Sequence, residues 1–366
     1  MTVRYLAAAL AAALVANSGT ADAQTTPSPA LLVLAKSDQT LAIVEPASLK
    51  VITRLPAGPD PHEVITSADG RYAYISNYGG GAYNTLTVID LVAQKALPPV
   101  DLGALRGPHG LAFEGGKVWF TAEAAKAIGS YDPMSKTIDW VLGTGQNRTH
   151  MLTVSKDLQR IVTANTASGS VSVIDRRSTD SRPPAGGPVS GAAAGSGQGA
   201  SPAGAAPSRA AGAPQIDWDQ TVIPTGRGAE GFDASPDGKT IWVANAADGT
   251  VSIIDADSKK VVETLAANVV GANRLKFTTD GTLVFISSLR APDVAVFEAA
   301  THRERTRIPV GRGAAGILMQ PDGTRVYIAC SPDNSVAVID LKSLAVVGRI
   351  EPGRNPDGLA WAARRD

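Results

Sequence analysis

The sequence contains few of the residues that mark several common protein classes. Among its 366 residues there is one cysteine, Cys330, which excludes an internal disulfide framework and any multi-cysteine zinc or iron–sulfur site. Aromatic residues make up only 5% of the chain, and Lys plus Arg (34) equal Asp plus Glu (34). Because binding to nucleic acid or to an anionic membrane needs clustered positive charge, the zero net charge argues against both partners.

Several catalytic motifs are also missing. The chain has no HExxH zinc motif, no Walker loop, no GxSxG elbow and no dinucleotide-binding fingerprint. Beyond the N-terminal region, no apolar run is long enough for a membrane span. The enzyme classes that depend on these motifs are therefore not indicated.

The N-terminus has the three parts of a secretory signal. Arg4 precedes residues 5–16, an apolar run that is too short for a stable transmembrane helix. Ala21-Asp22-Ala23 then fits the small-x-small rule for cleavage. We therefore predict that residues 1–23 are a signal peptide cleaved after Ala23, and that the mature protein is periplasmic or secreted.

The rest of the sequence is a repeat. Residues 61–97, 229–265 and 314–350 share one order of signals, and weaker copies lie between them. Each copy reads as four short strands, with an Asp-Gly turn after the first, which is typical of a hairpin. The copies recur every 41 to 47 residues apart from one longer step, and a period in the low forties with four strands per unit is typical of propeller blades. The repeat predicts an all-β, seven-bladed β-propeller with four antiparallel strands per blade.

The longer step and the two ends of the repeat complete this prediction. Residues 183–214 are almost entirely Ala, Gly, Pro and Ser, so we expect a disordered insertion between strands three and four of blade four. The mature N-terminus begins with strand two of a blade, and the missing strand one is found at residues 356–362. The C-terminal strand would thus close the first blade, and residues 24–366 would form a single monomeric propeller without an open edge.

The repeat resembles a known group of proteins. Its SPDG, VAN and VSIID segments are similar to those of the YVTN-repeat, or YncE-like, seven-bladed β-propellers. A second, partial likeness is to lactonase-type propellers, carried by Pro61-His62 with Tyr78-Gly79 and by Pro108-His109 with Glu123. The resemblance implies that strand one lines a central channel, and that its start lies on the same face as the end of strand two. It specifies the fold but not the function, because this architecture hosts enzymes, binding modules and scaffolds.

Three of the four histidines fall at one position of the repeat. His62, His109 and His150 each begin strand one in consecutive blades, and Glu230 takes this position in the next blade. Three neutral imidazoles and one carboxylate suit zinc, copper, nickel or iron(II). We therefore predict that these four residues bind one divalent transition metal at the channel mouth.

The same face offers a candidate catalytic pair and a set of ligand contacts. His109 and Glu123 would lie close together, where a histidine positioned by a carboxylate can act as a general base, or a metal-bound water can supply hydroxide. Either chemistry would suit hydrolysis of a lactone or ester. Guanidinium groups of the loops would attract a small anionic ligand. The predicted ligand contacts are Asn77, Arg106, Arg148, Asn165, Arg227, Asn245, Asn273, Arg274 and Asp357.

Two alternatives stay open from the sequence. In the first, the polar residues of a wet channel only bind ordered water, and Glu123, expected at the end of strand two where blades two, four and five have Asn, is one of them. The protein would then be a non-enzymatic scaffold that binds a periplasmic protein or another cell-envelope partner. Cys330, at the same strand-two position in blade seven, reads as a small buried residue, with a reactive thiol or a soft ligand as the other interpretation.

Overall fold

A computed structural model describes residues 25–177 and 217–364. These residues form strands of six to eight residues and two short 3₁₀ turns, Gly79–Gly81 and Ser331–Asp333. In chain order the strands are β1 (Ala30–Ala35), β2 (Thr40–Glu45), β3 (Lys50–Pro56), β4 (Pro61–Thr66), β5 (Tyr72–Asn77), β6 (Thr85–Asp90), β7 (Lys95–Asp101), β8 (Pro108–Glu114), β9 (Lys117–Ala122), β10 (Ala127–Asp132), β11 (Thr137–Gly143), β12 (Thr149–Val154), β13 (Arg160–Asn165), β14 (Ser170–Arg177), β15 (Asp217–Pro224), β16 (Ala229–Ala234), β17 (Thr240–Asn245), β18 (Thr250–Asp255), β19 (Lys260–Leu265), β20 (Ala272–Phe277), β21 (Leu283–Ser288), β22 (Asp293–Glu298), β23 (Glu304–Pro309), β24 (Ala314–Met319), β25 (Arg325–Cys330), β26 (Ser335–Asp340), β27 (Ala345–Ile350) and β28 (Pro356–Ala362).

The strands form seven four-stranded antiparallel sheets, which are the blades of a propeller. Blade one has the order β28-β1-β2-β3, and blades two to seven follow as β4–β7, β8–β11, β12–β15, β16–β19, β20–β23 and β24–β27. The innermost strand of each blade contacts the innermost strands of both neighbouring blades, so the ring is closed. The predicted fold class, including closure of the first blade by the C-terminal strand, is confirmed.

The core lies between the blades. The second strand of most blades carries a large side chain that packs against the next sheet, and Tyr74, Phe120, Trp242, Phe285 and Tyr327 are all buried there. Strands one to three of each blade are largely buried, whereas the outermost strand alternates between exposed and half-buried residues. This pattern accounts for the low aromatic content, because one large residue per blade suffices to fill the space between two sheets.

Every innermost strand contains a β-bulge near its start. Opposite β5, for example, Pro61 pairs with Asn77 and Val64 with Ile75, so β4 has one extra residue. The same shift occurs in the other six blades. Bulges re-aim side chains next to functional sites. The histidine position lies in this bulge and is the second residue of the strand, one later than predicted, because the strands begin at Pro61, Pro108 and Thr149.

Two predicted segments fall outside the described residues. The signal peptide, residues 1–23, precedes the described part, and residues 183–214 lie within the stretch that joins β14 to β15, strands three and four of blade four. Within the described ranges, no helix has the length and apolar character needed to cross a bilayer.

Candidate metal centre

The three channel histidines form one continuous row. The ring centroids of His62 and His109 are 5.0 Å apart, and those of His109 and His150 are 3.8 Å apart. The ring of Tyr78 meets both His62 and His109 edge-on, at 4.9 and 5.1 Å. The bulges of three neighbouring blades therefore bring the histidines into direct contact, as their common position in the repeat indicates.

His150 lies between two carboxylates. Its Nδ1 is hydrogen-bonded to Oε1 of Glu123, and its Nε2 is 2.7 Å from Oε1 of Glu230. The second contact is an ion pair that lacks the alignment of a hydrogen bond. The Tyr78 hydroxyl donates to the other oxygen of Glu123 at 2.6 Å, and Arg148 Nε lies 3.6 Å from that oxygen. Blades two to five thus all contribute to one polar cluster.

Glu123 occupies a different position from the one predicted. The hairpin between β8 and β9 has a two-residue turn, Gly115-Gly116, in which both residues have positive φ and Glu114 pairs with Lys117. This turn shortens the hairpin by two residues, so the last residue of strand two in blade three is Ala122, opposite Pro108. Glu123 therefore lies one residue past the end of strand two, and its correct equivalents in the other blades are not asparagines.

The position just after strand two supplies functional side chains in three adjacent blades. In blades one, two and three it is occupied by Lys36, Tyr78 and Glu123. Lys36 Nζ is 3.4 Å from Nδ1 of His62 and 3.3 Å from Oδ2 of Asp357. Sequence reasoning missed Lys36 and missed Tyr78 as a site residue. Counting the hairpin of blade three from its Gly-Gly turn, instead of from the repeat period, would have aligned Glu123 with Tyr78.

The carboxylates set the protonation of His150. Burial by itself would lower the pKa of His150, but the charges of Glu230 and Glu123 outweigh burial and raise the pKa to about 9. Burial opposes ionisation of Glu230, yet the imidazolium of His150 lowers the pKa of Glu230 to about 2. The pKa of Glu123 is also lowered, against its burial, by the hydrogen bond from His150. The metal-free site therefore holds an imidazolium between two carboxylates at neutral pH.

The other two histidines are neutral. Burial, together with the positive charge of His150, places the pKa of His109 well below its usual value. Burial also lowers the pKa of His62, and the nearby carboxylate of Asp357 only partly compensates. Nδ1 of His109 is buried and has no hydrogen-bond partner among the described residues. A buried ring nitrogen without a partner is costly unless it binds something that the protein itself does not supply.

Three buried donors satisfy the distance requirement for one metal ion. Donor atoms of His109, Glu123 and His150 all lie within 4.8 Å of one another. Two imidazoles and a carboxylate form a donor set that suits zinc and other divalent transition metals. His62 and Glu230, which the sequence analysis included among the metal ligands, lie beside this group: His62 contacts the ring of His109, and Glu230 contacts His150.

A buried ion pair crosses the channel. Arg274 of blade six, in the bulge of β20, forms an ion pair with Glu63 of blade two, the residue after His62. Its Nη1 also donates to the carbonyl of Asn273 at 3.0 Å. Arg274 is 7% exposed, and both terminal nitrogens of its guanidinium contact groups of the protein. In this structure Arg274 contacts the protein itself, and its contact with a ligand stays a prediction.

The predicted asparagine contacts belong to the framework of the blades. Asn77, Asn165 and Asn245 end strand two, and each is at most 1% exposed. Asn245, for example, donates to Thr250 and Ser252 at 2.9 and 3.0 Å. Asn273 donates to the carbonyl of Ala315 at 3.0 Å. Because these amides hold strands and loops together, we assign the asparagines a structural role.

The predicted loop arginines differ from one another in their surroundings. Arg227 is held by Asp248, with Nε 2.7 Å from Oδ1, whereas Arg106 is exposed and forms no ion pair with a described residue. Arg148 lies beside Glu123 in a left-handed backbone conformation, φ +52°. The equivalent residue is a glycine in four other blades, Gly107, Gly228, Gly271 and Gly313.

Cys330 is a core residue. It is fully buried, its thiol lies 3.4 Å from the carbonyl oxygen of Val310, and burial raises its pKa to about 11. A buried neutral thiol is neither a good nucleophile nor a metal ligand. The interpretation of Cys330 as a small buried residue agrees with this environment.

Comparison with known proteins supports the same architecture. A family model described as YncE-like beta-propeller matches residues 213–325, which run from the last strand of blade four to the start of β25. The resemblance to YncE-like propellers is confirmed. No curated protein matches the chain.

Solved structures resemble the chain in fold. A functionally unknown protein from Desulfotomaculum acetoxidans has a TM-score of 0.69 and 12% identity, covering 92% of this chain and 100% of its own. A protein from Bacteroides fragilis, provisionally named a 6-phosphogluconolactonase, has a TM-score of 0.64 and 15% identity, covering 93% and 99%. Hydrazine synthase from Kuenenia stuttgartiensis has a TM-score of 0.60 and 18% identity, covering 82% and 89%. At these identities the likeness establishes the fold, and the function has to be argued from the site.

Proposed function

We propose that the protein binds one divalent transition metal through His109, Glu123 and His150, and uses this centre to hydrolyse a lactone or ester. The observation that carries the proposal is the buried donor group itself, whose donor atoms lie within 4.8 Å and include a histidine with an unpartnered ring nitrogen. Nδ1 of His109 has no hydrogen-bond partner among the described residues, so this buried nitrogen is available to a metal ion or to a water molecule.

The charges around the site favour a cation. The carboxylates of the channel mouth outnumber the Lys and Arg side chains that contact them, five to three, while His62 and His109 are neutral. The carboxylates are Asp60, Glu63, Glu123, Glu230 and Asp357, and the cations are Lys36, Arg148 and Arg274. Metal binding would displace the proton of His150. A divalent ion would therefore neutralise a site that is negative once His150 has lost its proton.

The neighbouring residues suit a hydrolytic reaction. A bound divalent metal supplies Lewis acidity and a water of lowered pKa. The hydroxyl of Tyr78 donates to Glu123 at 2.6 Å and holds that carboxylate in place. His62 is neutral and partly exposed, with its Nδ1 3.4 Å from Lys36 Nζ and its Nε2 3.3 Å from Asp60 Oδ1, and it is our candidate for the group that exchanges a proton with water or a leaving alcohol.

The lactonase-type likeness and the N-terminal sequence extend the proposal. Structures resembling this chain include one provisionally named a 6-phosphogluconolactonase, which supports a lactone or ester as the substrate class. Export to the periplasm or beyond is proposed from the sequence of residues 1–23, which has the parts of a cleavable signal.

Elemental analysis of the purified full-length protein tests the metal centre. The protein is isolated without chelators or a histidine tag, beside a His109→Ala/His150→Ala variant and a His302→Ala control. His302 lies between β22 and β23 and contacts Glu263 and Trp242, away from the cluster. We expect one metal per chain in the native protein and in the control, and none in the double variant.

The absence of metal from native protein, even after reconstitution with zinc and copper, would overturn the metal centre and favour the non-enzymatic scaffold.

Hydrolysis is then tested on the metal-loaded protein with a panel of aryl esters and lactones. Activity that chelation removes and added metal restores would support the hydrolase. Metal binding without activity towards any ester or lactone would overturn the hydrolase and leave the metal site standing.

A further inference from the structure

Three blades carry the same arginine–aspartate clamp on the face of the metal cluster. An arginine three residues before the bulge position donates its Nε to an aspartate three residues after the end of strand two. The aspartate also accepts the backbone N–H of that arginine. The clamps are Arg354–Asp38 at 2.6 Å, Arg227–Asp248 at 2.7 Å and Arg312–Asp333 at 2.8 Å, in blades one, five and seven.

Blade three keeps the arginine of this clamp but has lost the aspartate. The arginine is Arg106, the position of the aspartate is Ala125, and the next residue is Lys126. The backbone pairing is nevertheless the same, since Ala124 N–H donates to the carbonyl of Arg106 at 3.2 Å. Arg106 and Lys126 are both exposed, and neither has a carboxylate within ion-pair distance in the described parts of the chain. Blade three therefore has two cations without a carboxylate partner, whereas blades one, five and seven have a neutral Arg–Asp pair.

These two cations border the proposed metal centre. The residue after Arg106, Gly107, accepts a hydrogen bond from the N–H of Glu123 at 2.9 Å, and Arg106 itself is three residues before His109. Arg148 adds a third positive charge on the same side, with its side chain half exposed and its Nε 3.6 Å from Glu123. The chain as a whole is neutral, so these three cations form a local excess of positive charge. This positive charge lies next to the carboxylate-rich metal cluster.

We propose that Arg106 and Lys126 bind an anionic group, a carboxylate or a phosphate, of the molecule that reacts at the metal cluster. A guanidinium pairs with either group through two parallel N–H bonds, and an adjacent ammonium adds a further donor. The proposal rests on the proposed function and names its substrate class: an ester or lactone that carries a negative charge at the end remote from the bond that is cleaved. In blades one, five and seven the aspartate already occupies the arginine, so these three arginines would not serve this role.

Calorimetric titration of the full-length protein with phosphate and, separately, with glutarate tests the anion site directly. Ala125→Asp introduces the residue found in blades one, five and seven and should neutralise Arg106. Arg106→Ala removes the cation, and Arg312→Ala removes a clamped arginine as the matched control. We expect each anion to bind the native protein and the control equally, and to bind the other two variants about tenfold more weakly. Native protein that binds neither anion, or variants that bind as well as native protein, would overturn the proposal.

Kinetics give a second, independent readout. The kcat/KM for 4-acetoxybenzoate, an anionic ester, is divided by that for 4-nitrophenyl acetate, a neutral one. Ala125→Asp should lower this ratio about tenfold and leave the rate on the neutral ester unchanged. An unchanged ratio would overturn the proposal. If no ester is hydrolysed, the hydrolase fails while the titration still decides whether the anion site exists, so the two failures are distinguishable.

Discussion

Blades three and five share one backbone pattern but place different side chains at the channel mouth. In blade five strand two ends at Asn245, whose amide ties the strands together, and the next residue is Ala246. Blade three has Ala122 and Glu123 at these positions. The backbone pairing is the same in both, since the residue after strand two donates to a loop glycine carbonyl at 2.8 Å in blade five and 2.9 Å in blade three.

The difference shows how a repeat acquires a site without changing its fold. In blade three a two-residue turn, Gly115-Gly116, joins the first two strands, and strand two ends at Ala122 in place of an asparagine. The position that follows strand two carries Glu123, which is hydrogen-bonded to His150 of the next blade. The site is formed by side chains at the channel mouth, whereas the fold of the blade depends on the backbone hydrogen bonds between its strands.

The largest effect should come from exchanging the side chains that follow strand two. Glu123→Gln removes the charge of a donor and should weaken zinc binding at least about a hundredfold. Ala246→Glu places a carboxylate at the equivalent position of blade five and should create no second site, because the bulge residues there are Glu230 and Asn273. Competition with a chromophoric chelator measures both. Retained affinity in Glu123→Gln, or a second zinc in Ala246→Glu, would contradict the assignment.

A matched pair of glycines separates stability from metal binding. A Cβ on Gly110 would lie 2.6 Å from the carbonyl oxygen of His150, and one on Gly231 would lie 2.5 Å from that of Asn273. Each change to alanine should lower the free energy of unfolding by about 1–3 kcal/mol, because the neighbouring strand has to shift. Only Gly110→Ala should also weaken zinc binding, since the strand that shifts carries His150. Equal zinc affinity in the two variants would show that the position of His150 is uncritical.

The pH dependence of the metal-free protein should show the charge of His150. The folded pKa, about 9, is above the ordinary value of 6.5, so the stabilisation is fully present below about pH 6.5 and is lost as the pH rises through about 9. Glu230→Gln should reduce this loss, because it removes the largest favourable charge on the imidazolium. Urea unfolding across this pH range measures the effect, with His302→Ala as the control. A stability that does not change over the range in native protein would rule out the imidazolium.

The smallest effect is expected at Tyr78. Phenylalanine keeps the ring that contacts the histidines but removes the hydroxyl that donates to Glu123 at 2.6 Å. We expect Tyr78→Phe to weaken zinc binding about tenfold through looser positioning of the carboxylate. Tyr83→Phe, at an exposed tyrosine of the same loop, serves as the control. An equal effect of both changes would show that Tyr78 acts through the loop instead of through its hydroxyl.

Much of the fold could be predicted from local signals. These signals are the Asp-Gly turns, the alternation of apolar residues and the repeat period in the low forties. All three can be read along the chain without knowing which residues are in contact in the folded protein. The shared position of His62, His109 and His150 also follows from the repeat, because equivalent residues of consecutive blades point towards the same channel. The bulge that turns these side chains inward was not visible, since one extra residue in a strand leaves the hydrophobic pattern nearly intact.

The contacts of the site required the tertiary structure. The position of Glu123 depends on the β8–β9 hairpin, which is two residues shorter than the equivalent hairpins. The repeat period alone does not show this difference in length. The ion pair between Arg274 and Glu63 joins blades that are far apart in the chain and meet only across a closed ring. The loop arginines look alike in sequence, yet an aspartate in another loop decides which of them is neutralised.

The amino-acid sequence by itself determined seven four-stranded blades, the closing strand at the C-terminus and a row of histidines at one repeat position. These features depend on periodicity, turn chemistry and strand alternation, which act over a few residues. The tertiary structure decided that Glu123 and Glu230 hold His150, that Tyr78 and Lys36 lie at the site, and that Arg106 stays uncompensated. These features depend on distances between blades, and such distances are set only when the ring closes and each loop meets its neighbour.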